Sequence, residues 1–423
     1  MSIYSNPRLR GMVKQFYMHK CVVCENQTLD RVIQLGYHPV ADTFLKKEKI
    51  LGLQKRYPLN CLLCRTCGHL QNEYIVPPEE RYLENEYSYT ASNSKISRTH
   101  WQEYCDTVSQ TIGLKKNDHV IEFGSNDGLL LAYFQKKGAL VTGIDPSPSM
   151  AVLAKKRGIK TICSFIGKES LSTATREGGK AKLICGNNVF NHIANLNEVV
   201  GEAVKALGTD GTFLFESPYH KDIVEKYLFD TIYHEHISYF SVRSVDALFR
   251  KHGLFITNIE HNLYHGGCIR VYASKNISCY NKKLVAQYVA NEQKSGIFSR
   301  KTYANFMAKI EKDKFDALNR LYALKNQSKK IAVIGAATKG NTLLNYYGLD
   351  GGVIDFVTDT SPHKIGKYTP GSLIPIVHDR KLVSDKIDIG LIVSWNIGKY
   401  LAEKIKKINK KIQLIVPGEK DLL

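Results

Sequence analysis

Short apolar runs of β type alternate with helical stretches through most of this chain, and the alternation sorts it into three regions. From about residue 89 to 276 the runs His119–Phe123, Leu140–Ile144, Ala181–Cys185 and Gly211–Phe215 read as strands, with helical patterns such as Leu129–Lys137 between them. Strand followed by helix followed by strand is the signature of a parallel sheet covered on both faces. Two further runs, Phe255–Ile259 and Ile269–Ala273, are joined by His265-Gly266-Gly267 without a helix, which predicts an antiparallel pair at the sheet edge. Residues 281–326 are polar and helical in pattern and bridge to a second alternation, with strands predicted at Lys330–Ile334, Val353–Val357 and Ile387–Val393. The expected architecture is α/β: a small N-terminal domain over residues 1–88, a central Rossmann-like domain over 89–276 and a smaller Rossmann-like α/β domain over 277–423.

The N-terminal region is set apart by cysteine. Five of the ten cysteines fall between residues 21 and 67. Cys21-Val22-Val23-Cys24 is one C-x-x-C turn, and Cys61, Cys64 and Cys67 offer two overlapping partners for it. Two such turns present four thiolates to one ion in a closed tetrahedral site, the chemistry of structural zinc. Cys64 and Cys67 are the better pair because Gly68 follows, leaving Cys61 over. A site of that kind stabilises a domain too small for its own core.

The first strand of the central region runs into Glu122-Phe123-Gly124-Ser125-Asn126-Asp127-Gly128. The spacing is G-x-x-x-G, not the G-x-G-x-x-G of nicotinamide cofactors. Glu122 and Asp127 would repel a pyrophosphate but suit a cofactor with an amino group, a sulfonium and ribose hydroxyls. Asp145, at the end of the next strand, is placed to accept from a ribose diol, and Asn187 closes the third strand toward the same crevice. Together they predict an S-adenosylmethionine site.

Tyr233-His234-Glu235-His236 packs four ionisable side chains into consecutive positions after the fourth strand. A carbon–carbon bond needs a carbanion, in practice an enolate beside a ketone. That in turn needs a base and an oxyanion donor, which His, Tyr and Glu can supply. A metal pair formed by His234 and His236 is the rival reading. His192 follows the third strand and could line the same cleft. In the third region Lys339 and Gly340 lie at the turn from strand into helix, a ready anion site.

Composition alters this little. Hydrophobic residues make up 43% and charged residues 23%, ordinary for a globular protein, and no apolar run approaches the length of a membrane helix. With no signal-like N-terminus, the cytoplasm is the expected compartment. The net charge of +19 favours anionic partners, but the lysines are scattered rather than gathered in a polybasic arm. A phosphorylated small molecule therefore fits better than nucleic acid.

Taken in order, these elements, with Glu86-Tyr87-Ser88-Tyr89, Asn187–His192, Phe215–Tyr219, Phe229–Phe240, His265-Gly266-Gly267 and Gly335–Gly340, resemble the nucleotide-sugar C-methyltransferases of deoxysugar biosynthesis. The resemblance covers nearly the whole chain. It implies zinc in the first domain, S-adenosylmethionine in the second, and help from the third in binding a nucleotide-diphosphate sugar methylated at carbon 3. By that match His236 is the base. Tyr233, Glu235, His192 and Tyr87 support it, and Tyr89, His265, Gly266, Lys339 and Gly340 meet the substrate. Cys268 stands where many relatives carry Ser. A monomer or weak homo-oligomer is expected. An RNA methyltransferase and a non-catalytic cofactor-binding module are the alternatives.

Overall fold

The computed structural model describes residues 16–82, 90–92 and 94–416. β1 (Leu29–His38), β2 (Tyr57–Cys64) and β3 (Leu70–Asn72) form an antiparallel meander. The central sheet contains β4 (His119–Phe123), β5 (Leu140–Ile144), β6 (Thr161–Ile162), β7 (Ala181–Asn187) and β8 (Leu207–Pro218). After β8 the chain leaves this sheet. β9 (Ser238–Tyr239) pairs with Leu70 and Gln71 and becomes the fourth strand of the N-terminal sheet. β10 (Phe255–Asn262) and β11 (Cys268–Ser274) then return as the predicted antiparallel pair, β11 lying against β8.

The seven strands of the central sheet lie in the order β10-β11-β8-β7-β4-β5-β6. β7, β4, β5 and β6 pair in parallel, and β4 and β7 are mostly buried, because helices cover both faces. Strand order reverses between β4 and β7, so the crevice at their carboxyl ends is the place for a ligand. Gly186 sits there against the Phe123 ring. A Cβ at Gly186 would meet that ring at 2.0 Å. Gly186→Ala should therefore lower stability by about 1–3 kcal/mol, read from urea denaturation.

Helices Lys282–Lys294 and Arg300–Asn326 fill the predicted bridge. The third sheet follows: β12 (Ile331–Ile334), β13 (Phe356–Asp359), β14 (Ile376–His378), β15 (Ile389–Ile392) and β16 (Gln413–Ile415). All its pairs are parallel, in the order β14-β13-β12-β15-β16. Its own switch point lies between β12 and β15, where helix Thr338–Tyr347 begins. The strand predicted at Val353–Val357 starts three residues later, because Val353 and Ile354 close a turn on Asp350.

The regions are sewn together. Asn341 Nδ2 donates to Ala41 O at 2.7 Å, Leu45 and Tyr368 exchange backbone hydrogen bonds, and Trp395 Nε1 donates to Asp230 Oδ2 at 2.6 Å. One apolar cluster runs from β1 and β2 through Ile232 and the bridging helices into the third sheet. Among the described residues no helix is long and apolar enough to cross a membrane.

Candidate active site

Cys21, Cys24, Cys64 and Cys67 converge, their sulfur atoms all within 4.8 Å of one another. Cys21 Sγ lies 3.6 Å from Cys67 Sγ and Cys24 Sγ 3.5 Å from Cys64 Sγ. A tetrahedron with zinc–sulfur bonds near 2.3 Å has edges of about 3.8 Å, so the set fits zinc. Gly68, at φ +72°, turns the second knuckle and donates to Cys64 O. Cys61 is buried inside β2 with its thiol toward Asn72 Oδ1, outside the cluster. Among the described residues the four cysteines are the group of three or more metal-ligating side chains, and His234 and His236 join none.

A cavity of about 1690 Å³ opens where all three regions meet. That is larger than the roughly 300–1,000 Å³ of a pocket for one drug-sized ligand, so it has room for cofactor and substrate together. Glu122, Gly124, Ser125, Asn126, Asp145 and Asn187 line one wall. Asp145 is oriented by backbone N–H groups, Oδ2 accepting from Asn126 and Oδ1 from Ser147, both at 2.9 Å. Burial raises its carboxyl and, helped by Asp127 and Asp145, raises that of Glu122 further. Glu122 Oε2, Ser125 Oγ and Asn187 Nδ2 are buried with no partner among the described residues. Gly124 adopts φ +63°, and a Cβ there would reach Val189 at 2.7 Å. An unpartnered carboxylate oxygen, hydroxyl and amide N–H around a glycine cradle fit a cofactor bearing an amino group and a ribose diol. Asp127 and Gly128 stand behind this wall. Asp127 accepts from Arg157 and from Ser92 N, and Gly128 packs on Ile159 and Ala154.

The turn carrying Tyr233, Glu235 and His236 faces the same cavity. It lies between a single helical turn at Phe229–Thr231 and β9, and the N-terminal sheet holds it through Asn72, whose Nδ2 donates to Tyr233 O and whose N–H donates to Ile237 O. His236 is buried at the cavity wall. Its Nδ1 pairs with Thr231 O at 2.8 Å and its Nε2 with the Tyr233 hydroxyl at 2.5 Å. Burial, with His192 5.1 Å away ring to ring, holds its pKa well below the usual imidazole value. His192 is half-buried, and desolvation of its ring, with Arg81 near, brings its pKa down to about 3. His234 points away from the cavity, its ring edge-on to Tyr57.

Glu235 Oε1 accepts from Asp42 N at 2.9 Å, and the Asp42 carboxylate accepts from Thr338 Oγ1 at 2.8 Å. Burial and the Asp42 charge push the Glu235 carboxyl up to about 7. An acid whose folded pKa lies above its unfolded value binds extra protons when folded, so its burden on stability grows as pH rises from about 4.5 to 7. Glu235→Gln keeps an acceptor for Asp42 and removes the charge. The variant should be more stable than the parent by about 1–3 kcal/mol at pH 8 and by much less at pH 5, read from urea titrations at both values.

From the third sheet, Lys339 enters the cavity. Its amine is buried, 4.8 Å over the Trp395 ring and 3.5 Å from His265 O. Burial lowers its pKa while Asp230 works against that shift. His265 lines the cavity at φ +52°, its ring brought to about 3 by burial and by Lys339. Gly266 packs on Trp395, and Gly340 lies under Val393, where a Cβ would come within 2.5 Å. Both are close-packing positions. Tyr87 and Tyr89 lie outside the described residues. Asp42, Thr231, His100 and Glu216 also belong to this site or its edge. They carry no local motif, and only their convergence in space marks them.

Three family models tile the chain. The zinc binding domain model matches residues 21–82, the methyltransferase domain model residues 97–259, and the C-methyltransferase C-terminal domain model residues 263–417. The C-methyltransferase NovU of Streptomyces niveus is 33% identical over 390 residues, 92% of each chain. The chain belongs to the C-methyltransferase family. As a C-methyltransferase it is an S-adenosylmethionine-dependent enzyme with a four-cysteine zinc site. Among solved structures, magnesium protoporphyrin IX methyltransferase of Synechocystis PCC 6803 overlies 43% of this chain and 82% of its own, at 14% identity and a TM-score of 0.33. An S-adenosylmethionine-dependent methyltransferase of Clostridium acetobutylicum overlies 43% and 93%, at 12% identity and a TM-score of 0.34.

Proposed function

We propose that this C-methyltransferase methylates carbon 3 of a nucleotide-linked 4-keto-6-deoxysugar, by way of an enolate formed beside the ketone. The observation that carries the reading is the Tyr233–His236 pair. Because Thr231 O can only accept, the hydrogen of His236 sits on Nδ1 and the lone pair on Nε2, against the Tyr233 hydroxyl. Burial keeps the ring neutral, the form a base needs. In place of the expected direct abstraction by His236, the Tyr233 oxygen takes the hydrogen of the sugar carbon as its own proton passes to His236 Nε2, because that nitrogen faces the Tyr233 hydroxyl. The electron pair of the broken C–H bond moves toward the carbonyl oxygen, giving the enolate. Glu235 and His192 orient the pair, with Tyr87 and Tyr89 assigned to closing the cleft.

S-adenosylmethionine supplies an electrophilic methyl group. Glu122, Gly124, Ser125, Asn126, Asp145 and Asn187 would hold it directly, with Asp127 and Gly128 shaping the turn behind them. Holding acceptor carbon and donor together gives the step its proximity. The second switch point takes the nucleotide. The N-terminus of helix Thr338–Tyr347 and Lys339 offer N–H groups and positive charge to a diphosphate, beside His265, while Gly266 and Gly340 let Trp395 and Val393 pack close behind them. We assign zinc binding to residues 1–88, cofactor binding to 89–276 and nucleotide binding to 277–423, in a cytoplasmic enzyme acting as a monomer or weak homo-oligomer on a small molecule.

The test is incubation with isotopically labelled S-adenosylmethionine and a panel of nucleotide-linked 4-ketosugars, read by mass spectrometry. One methyl group gained on a ketosugar, with loss of the hydrogen at carbon 3, is expected. Transfer to none of them contradicts the reading.

A further inference from the structure

The carboxyl edge of the central sheet carries a second imidazole–carboxylate pair that the proton transfer above does not use. Glu216, near the end of β8, lies opposite Asn187 of β7 and is fully buried. Its Oε2 accepts from Arg270 Nε at 3.0 Å, Arg270 Nη2 at 2.8 Å and Asn262 Nδ2 at 2.9 Å. Its Oε1 accepts from His100 Nε2 at 2.7 Å. Burial alone would raise this carboxyl, but His100 and Arg270 outweigh it and hold it below the usual range. Glu216 is therefore a fixed anion that orients His100, as the carboxylate of a catalytic triad orients its imidazole.

The ring has little freedom. It stacks on Tyr264 with centroids 3.7 Å apart and planes 5° apart, and meets Trp101 edge-on at 4.7 Å. An ionised carboxylate can only accept, so Nε2 carries a hydrogen toward Glu216 and Nδ1 is the nitrogen left for another partner. Nδ1 has no hydrogen-bond partner among the described residues, while the ring lines the cavity with its side chain 14% exposed.

Strand order says which ligand it meets. The acceptors suited to the cofactor, Glu122 and Asp145, are on β4 and at the end of β5. Glu216 is on β8, on the other side of β7. Along the edge of the sheet, His100 is thus held beyond Glu122 and Asp145, at the β8 end of the cofactor wall that Asn187 closes. It is linked through Tyr264 and His265 to Lys339, whose amine lies 3.5 Å from His265 O.

We propose that His100, oriented by Glu216, contacts the substrate, its Nδ1 accepting a hydrogen bond from a hydroxyl group of the sugar. The inference rests on the ketosugar reading above and adds a specificity-determining residue to it. A site built to pair with a hydroxyl discriminates against the analogue that lacks it.

The test compares the parent chain and His100→Phe on the ketosugar substrate and on analogues each lacking one ring hydroxyl, reading kcat/KM by transfer of labelled methyl. Affinity for S-adenosylhomocysteine by calorimetry checks folding and the cofactor wall. The parent should lose about 3- to 10-fold in kcat/KM when one particular hydroxyl is removed, the scale of a neutral hydrogen bond. His100→Phe should show no such loss for that analogue while binding S-adenosylhomocysteine normally. Should His100→Phe fail to bind S-adenosylhomocysteine, His100→Lys, which can still donate to Glu216 and carries no acceptor, takes its place in the same comparison. Unchanged discrimination in a folded variant overturns the inference alone. Methyl transfer to no ketosugar by the parent removes the reading beneath it as well.

Discussion

Replacing His236 with Asn should slow the chemical step by roughly 100- to 10,000-fold, the usual weight of a positioned general base. Single-turnover transfer of labelled methyl measures this, and affinity for S-adenosylhomocysteine should be unaltered. The loss falls on the proton and not on binding, because His236 touches Tyr233 and Thr231 O and stands apart from the glycine cradle of β4. Tyr233→Phe should lose a comparable factor, since it removes the oxygen through which His236 acts. Groups that work as a unit are far from additive. The double variant should therefore be little worse than either single one. A double loss equal to the product of the two single losses would separate Tyr233 from His236.

The second large effect concerns the metal. Stripping zinc with a chelator, or replacing Cys64 with Ser, should abolish methyl transfer, although a closed four-sulfur site takes no part in the chemistry. Structural zinc supplies about 10–16 kcal/mol of apparent binding energy to small zinc domains, enough to decide whether their fold exists. The link to activity is β3. Its Asn72 donates to Tyr233 O at 3.1 Å and accepts from the Tyr239 hydroxyl at 3.2 Å, and β3 pairs with β9 directly after the Tyr233–His236 turn. Once the meander melts, that turn loses Asn72 and its β9 pairing and keeps the Ile237–Asn191 bond to the central region and its own internal contacts. Zinc content and activity should fall together and return together when metal is restored. Full activity at zero zinc would show that the catalytic turn stands on its own.

Much of the fold is legible in the chain because the information is local. The apolar runs of β4, β5, β7 and β8 and the antiparallel return of β10 and β11 follow from period and turn residues alone. The knuckle cysteines and the loop from Glu122 to Gly128 are equally local, since one tight turn presents all the chemistry. Register settles what spacing leaves open. Cys61 pairs with Asn72 inside β2, whereas Cys64 ends the strand and enters the knuckle.

What escapes the sequence is contact between distant segments. Ser238–Tyr239 follows a strand of the central sheet yet completes the N-terminal one, because its partner edge on β3 exists only once the meander has formed. Asp42 lies 193 positions from Glu235 and 296 from Thr338, and His100 lies 116 from Glu216. No periodicity links such residues. Gly266 and Gly340 illustrate the converse. Their motifs point to ligand contact, but their neighbours Trp395 and Val393 show positions where only hydrogen fits.

The central claim is that this cavity makes a nucleophile of carbon by removing a hydrogen beside a carbonyl. The most direct measurement is hydrogen exchange at carbon 3 of the nucleotide-linked 4-ketosugar in deuterated water, followed by proton NMR with the enzyme present and S-adenosylmethionine withheld. The account predicts that the carbon 3 signal fades at a rate set by the enzyme and persists with His236→Asn. A signal that stays intact with a parent enzyme able to methylate the same sugar, or that fades equally with His236→Asn, would contradict it.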